Sequence, residues 1–157
     1  MRSRCRSEHR RSPGGIMLDD STDDYSEPML VCIQNCQDCH RACLQTVTYC
    51  MSQGGRHAEP EHLRLLIDCA EICAVSADFM LRASDLHPFT CGACAEVCRR
   101  CADDCAAMGD DPRMKALADT CRHCAESCAA MSAGARETPA GRSPRRAAPV
   151  MTRRKTR

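Results

Sequence analysis

The stretch CGACAEVCRRCADDC, Cys91 to Cys105, carries five cysteines in fifteen residues at steps of three, four, three and four. Residues three and four apart lie one above another on an α-helix, so this rhythm draws a single thiol stripe along one face. A stripe of that kind usually consists of leucine and points into a bundle core. The chain must therefore build a helical interior in which sulfur replaces hydrocarbon, and its function lies in what that interior is for.

The punctuation of the remaining chain is consistent with such a bundle. Ser26-Glu27-Pro28 is a cap, an acid and a first-turn proline, and the run it opens ends at Gly54-Gly55. A second helix starts at Glu59-Pro60-Glu61 and is stopped at His87-Pro88. Thr90 is placed to cap a third helix over Cys91 to Met108, closed by Gly109, and Asp110-Asp111-Pro112 opens a fourth that ends near Gly134. Short connections make consecutive helices antiparallel neighbours, and no segment alternates with period two. The expected fold is all-α: an antiparallel four-helix bundle with a cysteine-lined interior over residues 25–133, between disordered extensions at 1–24 and 134–157.

Projected onto these helices, the cysteines fall on inward stripes. The first helix reads Cys32, Cys36, Cys39, Cys43, Thr46, Cys50, and the second His62, Leu66, Cys69, Cys73, Ser76, Met80. The third reads Cys91, Cys94, Cys98, Cys101, Cys105, Met108, and the fourth Met114, Leu117, Cys121, Cys124, Cys128, Met131. Chance would put about two in seven of the cysteines on core positions. Here every cysteine but Cys5 lies on a stripe. Sulfur is also what the chain has most to offer: Leu, Ile, Val and Phe number twenty, about 13% of the 157 residues, against 16 cysteines and nine methionines. Cross-links or bound metal must supply what so thin an apolar core does not.

The N-terminus favours metal. MRSRCRSEHRRSPGGIMLDD is basic, then broken by glycine and proline, then acidic, and no apolar run follows the arginine pair Arg10-Arg11, so it does not read as a secretory signal. No stretch is long and apolar enough to span a membrane. The expected compartment is the cytoplasm, where thiols stay reduced. Met17 is a second candidate start, with which the first sixteen residues, Cys5 included, drop out. The near-neutral total of +1 conceals an asymmetry: residues 1–16 hold five bases against one acid, residues 136–157 eight against one, and the body nine against nineteen. The basic tail reads as a solvated terminus, with neither nucleic acid nor a membrane expected as its partner.

Disulfides within one helix would close four-residue loops and constrain the unfolded chain little. Zinc needs discrete four-ligand sets, which a continuous stripe does not define. CIQNCQDC at Cys32–Cys39 matches a CxxxCxxC iron-sulfur pattern, but any 3-4 stripe generates that match, and no barrel of alternating strands and helices follows. Monovalent copper fits best. It selects thiolates and accepts two ligands, and two sulfurs at roughly 2.3 Å from it bridge side chains whose Cβ atoms are about 5–6 Å apart. A thiol tube thus has room for on the order of one Cu(I) per cysteine through shared sulfurs.

The segments CIQNCQDCHRAC, DCAEIC, CGACAEVCRRCADDC and CRHCAESC make residues 25–133 resemble the bacterial copper storage proteins. That resemblance implies a four-helix bundle holding many Cu(I) ions, a storage or sequestration role rather than an enzyme, the cytosolic branch and a homotetramer. Cytosolic members carry histidines at the tube's mouth between the third and fourth helices, whereas AAMGDDPRM offers Met108 and Met114. The expected ligands are the fifteen bundle cysteines with His62, Met108 and Met114. His62 belongs with Cys50, Cys105 and Met114 at one end, which reads as the gate. His40 and His123 lie off the stripes and read as surface or interhelix residues. Met80 and Met131, at the end with Cys32 and Cys91, read as core filling, and Ile33, Leu63, Ile67 and Val97 as helix packing, with subunit contact second. The alternatives are a zinc-stabilised helical interaction module and an iron-sulfur or redox protein.

Overall fold

The computed structural model describes residues 25–133, which form four helices: α1 Glu27–Gln53, α2 Pro60–Leu81, α3 His87–Ala106 and α4 Pro112–Ser132. A short 3-10 turn, Gly55–Ala58, links α1 to α2. Among the described residues there is no strand. Cys5, Met17 and both extensions lie outside the described residues. Helix α1 packs on α2 and α4, and α3 on the same two, so the helices form a square of antiparallel neighbours. No described helix is long and apolar enough to cross a membrane.

Every helix has proline in its first turn, at Pro28, Pro60, Pro88 and Pro112. Proline suits that position because its missing N–H would have had no partner within the helix. This corrects the expected third helix. His87-Pro88, read as the stop of the second helix, is the start of α3, while α2 has already ended at Leu81. Thr90 is no cap: it lies inside α3, and its hydroxyl donates to the His87 carbonyl at 3.0 Å. At the other end α3 stops at Ala106, which leaves Met108 in the following turn. Gly109, at φ 85°, makes that turn with a backbone conformation most side chains avoid. Ser26 precedes α1 without a side-chain capping bond. Asp111 does cap α4, accepting from the amides of Arg113 at 2.7 Å and Met114 at 3.3 Å.

All fifteen described cysteines are fully buried. The largest fully buried side chains are Leu66, Met80 and Met114, followed only by cysteines. Ile33 is buried, and Leu63 and Val97 pack partly against the core. Ile67 departs from the first of its two expected roles, packing within the bundle, with 40% of its surface exposed. It lies just off the inward stripe of α2, one residue beyond the buried Leu66.

Candidate metal centre

Sulfur contacts between facing helices fix the register of the tube. Cys39 Sγ lies 3.8 Å from Cys69 and 3.6 Å from Cys121, Cys69 lies 3.6 Å from Cys98, and Cys73 lies 3.7 Å from Cys94 and 3.5 Å from Cys98. Toward the start of α1, Cys36 and Cys32 approach Cys128 at 3.4 and 3.6 Å. Because neighbours are antiparallel, one turn forward on one helix is one turn back on the next. The tube therefore resolves into layers: Cys32, Ser76, Cys91, Cys128; then Cys36, Cys73, Cys94, Cys124; then Cys39, Cys69, Cys98, Cys121; then Cys43, Leu66, Cys101, Leu117; then Thr46, His62, Cys105, Met114.

Three four-sulfur groups have all their sulfurs mutually within 4.8 Å: Cys36/Cys94/Cys124/Cys128, Cys39/Cys73/Cys98/Cys124 and Cys39/Cys43/Cys69/Cys121. A three-sulfur group, Cys32/Cys91/Cys128, adjoins them. The groups overlap at Cys39, Cys124 and Cys128, so the sulfurs form a connected lattice and not isolated tetrahedra. Cys50, Cys101 and Cys105 belong to none of these groups, since Leu66 and Leu117 thin the sulfur toward that end.

Thiols packed this closely control one another's ionisation. The thiolate of Cys39 is favoured by the hydrogen bond from Cys121 and then by that from Cys124, which holds its pKa below the ordinary thiol range. Cys43 is held above that range, chiefly by its contacts with Cys101 and Cys121. At Cys91 the hydrogen bond with Cys128 acts downward, but contact with Cys32, burial and the charges of Cys32 and Cys94 outweigh it, and the pKa is pushed up to about 12. Burial comes first at Cys50, reinforced by the charge of Asp111, and raises its pKa.

The end expected to serve as gate holds a relay that the cysteine stripes do not reveal. His62 is 3% exposed, and its Nδ1 lies 2.5 Å from Asp104 Oδ2 while its Nε2 lies 3.4 Å from Cys50 Sγ. An ionised carboxylate only accepts, so Nδ1 carries the hydrogen and Nε2 presents its lone pair to Cys50. Asp111 ties the same end together. Besides capping α4 with Oδ1, it accepts at Oδ2 from Tyr49 Oη at 2.8 Å and from His57 Nε2 at 3.0 Å. Neither Asp104 nor Asp111 belongs to a cysteine stripe, and the antiparallel register that sets Cys105 level with His62 was the available clue to Asp104. Met114 is fully buried in this region, whereas Met108 is partly exposed. His40 bridges helices, its Nδ1 lying 2.9 Å from the Ala70 carbonyl, and His123 is exposed.

Comparison with known proteins agrees with this architecture. The family model described as copper storage protein matches residues 25–133. The Nmul_A1745 protein of Nitrosospira multiformis is 42% identical, with a TM-score of 0.64 over 71% of this chain and 98% of that one. The Cu(I)-bound copper storage protein BsCsp3 of Bacillus subtilis is 32% identical, with a TM-score of 0.63 over 68% and 99%. A cytosolic copper storage protein of Streptomyces lividans, in a structure with five coppers, is 29% identical, with a TM-score of 0.60 over 69% and 94%. With a family match that spans the whole bundle and an interior of fifteen buried cysteines, the chain belongs to the copper storage protein family.

Proposed function

We propose that this chain stores Cu(I) inside the bundle, on the fifteen bundle cysteines with His62, Met108 and Met114 at one mouth. The observation that carries the reading is the connected sulfur lattice. Each Cu(I) that enters displaces thiol protons and bridges two or three sulfurs already in van der Waals contact, so neighbouring ions share ligands. The likeness to the Streptomyces lividans protein supports a cytosolic location. Among the described residues every thiol is buried in the bundle interior rather than set beside an open substrate pocket, as a redox enzyme would require, which favours storage without turnover. We also take the assembled form to be a homotetramer of bundles.

At the mouth, Cu(I) meets the thioethers of Met108 and Met114, which have no proton to lose, and then Cys50. Its thiol proton leaves toward His62 Nε2 as the copper–sulfur bond forms, and Asp104 stabilises the imidazolium. Anaerobic titration tests the storage reading. Many colourless Cu(I) equivalents per chain are expected, all withheld from a weak chelator. The four-sulfur groups give a specific basis for the zinc reading. Only two of them, Cys36/Cys94/Cys124/Cys128 and Cys39/Cys43/Cys69/Cys121, share no cysteine, so zinc would saturate at two tetrathiolate ions. Saturation by Zn(II) at that level, with Cu(I) no higher, would favour the zinc module.

A further inference from the structure

Beyond Cys32 the layers continue into a level of thioether and imidazole side chains. One turn past the layer of Cys32, Ser76, Cys91 and Cys128, the same register sets Met29, Met80, His87 and Met131 at one level. Three thioethers and an imidazole thus stand at the end of the tube opposite His62; of these the sequence marks Met80 and Met131 as core filling and His87 as a helix stop. Their exposure is graded: Met29, Met131 and His87 are partly exposed, whereas Met80 is fully buried in the core cluster that holds the cysteines. His87 is prepared as a ligand. Its Nδ1 lies 2.9 Å from the Ser84 carbonyl, which only accepts, so Nδ1 carries the hydrogen and Nε2 keeps a free lone pair.

The layer beneath is suited to receive an ion. Cys32, Cys91 and Cys128 form the compact three-sulfur group, and the fourth position of that layer is Ser76. The Ser76 hydroxyl is fully buried and has no hydrogen-bond partner among the described residues. A buried hydroxyl without a partner is costly unless its bond is made in another state of the protein. A thiolate created by copper binding would accept it.

We propose that Met29, Met80, Met131 and His87 form a second Cu(I) site and port, which captures the ion on thioether and imidazole and passes it to Cys32, Cys91 and Cys128. The proposal rests on the storage reading above. Thioethers and imidazole bind Cu(I) without releasing a proton, so capture carries no pH cost, and the proton leaves only when a thiol becomes a ligand. The port then works in parallel with the His62 mouth, and the tube fills from both ends.

The test uses the full chain with methyl-13C methionine and the first equivalents of Ag(I), a redox-inert soft ion of the same charge. The methyl resonances of Met29, Met80 and Met131 should shift before the thiols are saturated, and the side-chain signal of His87 Nε2 with them. Methyl signals at this end that stay fixed while those of Met108 and Met114 move would overturn the port. As a kinetic check, Met29→Leu, Met80→Leu and Met131→Leu together keep side-chain volume. They should roughly halve initial Cu(I) uptake from a weak chelator, as when one of two parallel routes closes, and lower final capacity by no more than the one ion held at the port. Wild-type uptake rates in that variant would count against the port. Loss of copper capacity in the wild type would instead defeat the storage reading itself, so the two failures are distinguishable.

Discussion

Leu66→Ala should cost this protein more than its single position suggests. Cysteine contributes little apolar volume, so the few large side chains inside the tube carry much of the packing, and Leu66 is one of three large non-cysteine residues buried completely among the described residues. Its layer holds Cys43, Cys101 and Leu117, and the next layer on one side is four cysteines, short side chains with no spare length to fill a gap. Replacing a buried leucine by alanine removes its transfer energy and leaves a cavity, about 3–4 kcal/mol where the surroundings do not collapse. An unfolding entropy of about 2.1 cal/mol/K per residue gives roughly 0.23 kcal/mol/K for a bundle of about 110 residues. The apo protein should therefore melt about 13–17 °C lower, as read by circular dichroism under reducing conditions. Copper capacity should stay the same, because no ligand is lost. A fall in Tm of less than about 4 °C would show that Leu66 does not hold the tube together, and would refute the account of a core thinned by thiols.

The ionisation and register of the thiols set the other expectations. The apo bundle should lose stability as pH rises above the ordinary thiol pKa of 9.0. Cys50 and Cys91 keep protons in the fold that the unfolded chain gives up, so their contribution is full below that pH and lost toward the folded value, about 12 at Cys91. Each such thiol contributes about 1.4 kcal/mol per pH unit within that window, and a Tm that rises from pH 8 to 10 would contradict it. Asp104→Asn should weaken the first copper site at the His62 mouth by about 10- to 100-fold in competition with a chelator, with total capacity preserved. Met108→Leu with Met114→Leu should slow initial uptake and leave final capacity almost intact, whereas Cys98→Ser with Cys101→Ser should lower capacity with little effect on the initial rate. Stopped-flow loading separates the two outcomes.

The 3-4 rhythm of the cysteines made the bundle, its direction and its inward face legible from the sequence, because that spacing has one geometric meaning on a helix. Proline was harder to interpret. Pro88 serves equally as a barrier after one helix and as the first turn of the next, and only the early end of α2 at Leu81 decides between them. The layers became visible once sulfur distances fixed the register, and this is why Met80 and Met131 read as filling and the level they share with Met29 and His87 did not show. Asp104 was harder to find for a different reason. Its role comes from an imidazole 42 positions away, on the neighbouring helix, and its own surroundings in the sequence show only an acidic pair next to a cysteine.

The central claim is that copper resides among the thiolates of the tube, and the measurement that addresses it most directly is Cu K-edge X-ray absorption on the fully loaded, anaerobic protein. The expected spectrum is that of Cu(I) with a first shell dominated by sulfur at roughly 2.3 Å, two or three per ion. Scattering from neighbouring copper should accompany it, because adjacent ions share sulfurs. A first shell dominated by nitrogen or oxygen, or sulfur ligation without copper neighbours at full loading, would mean that the lattice of buried cysteines is not the store.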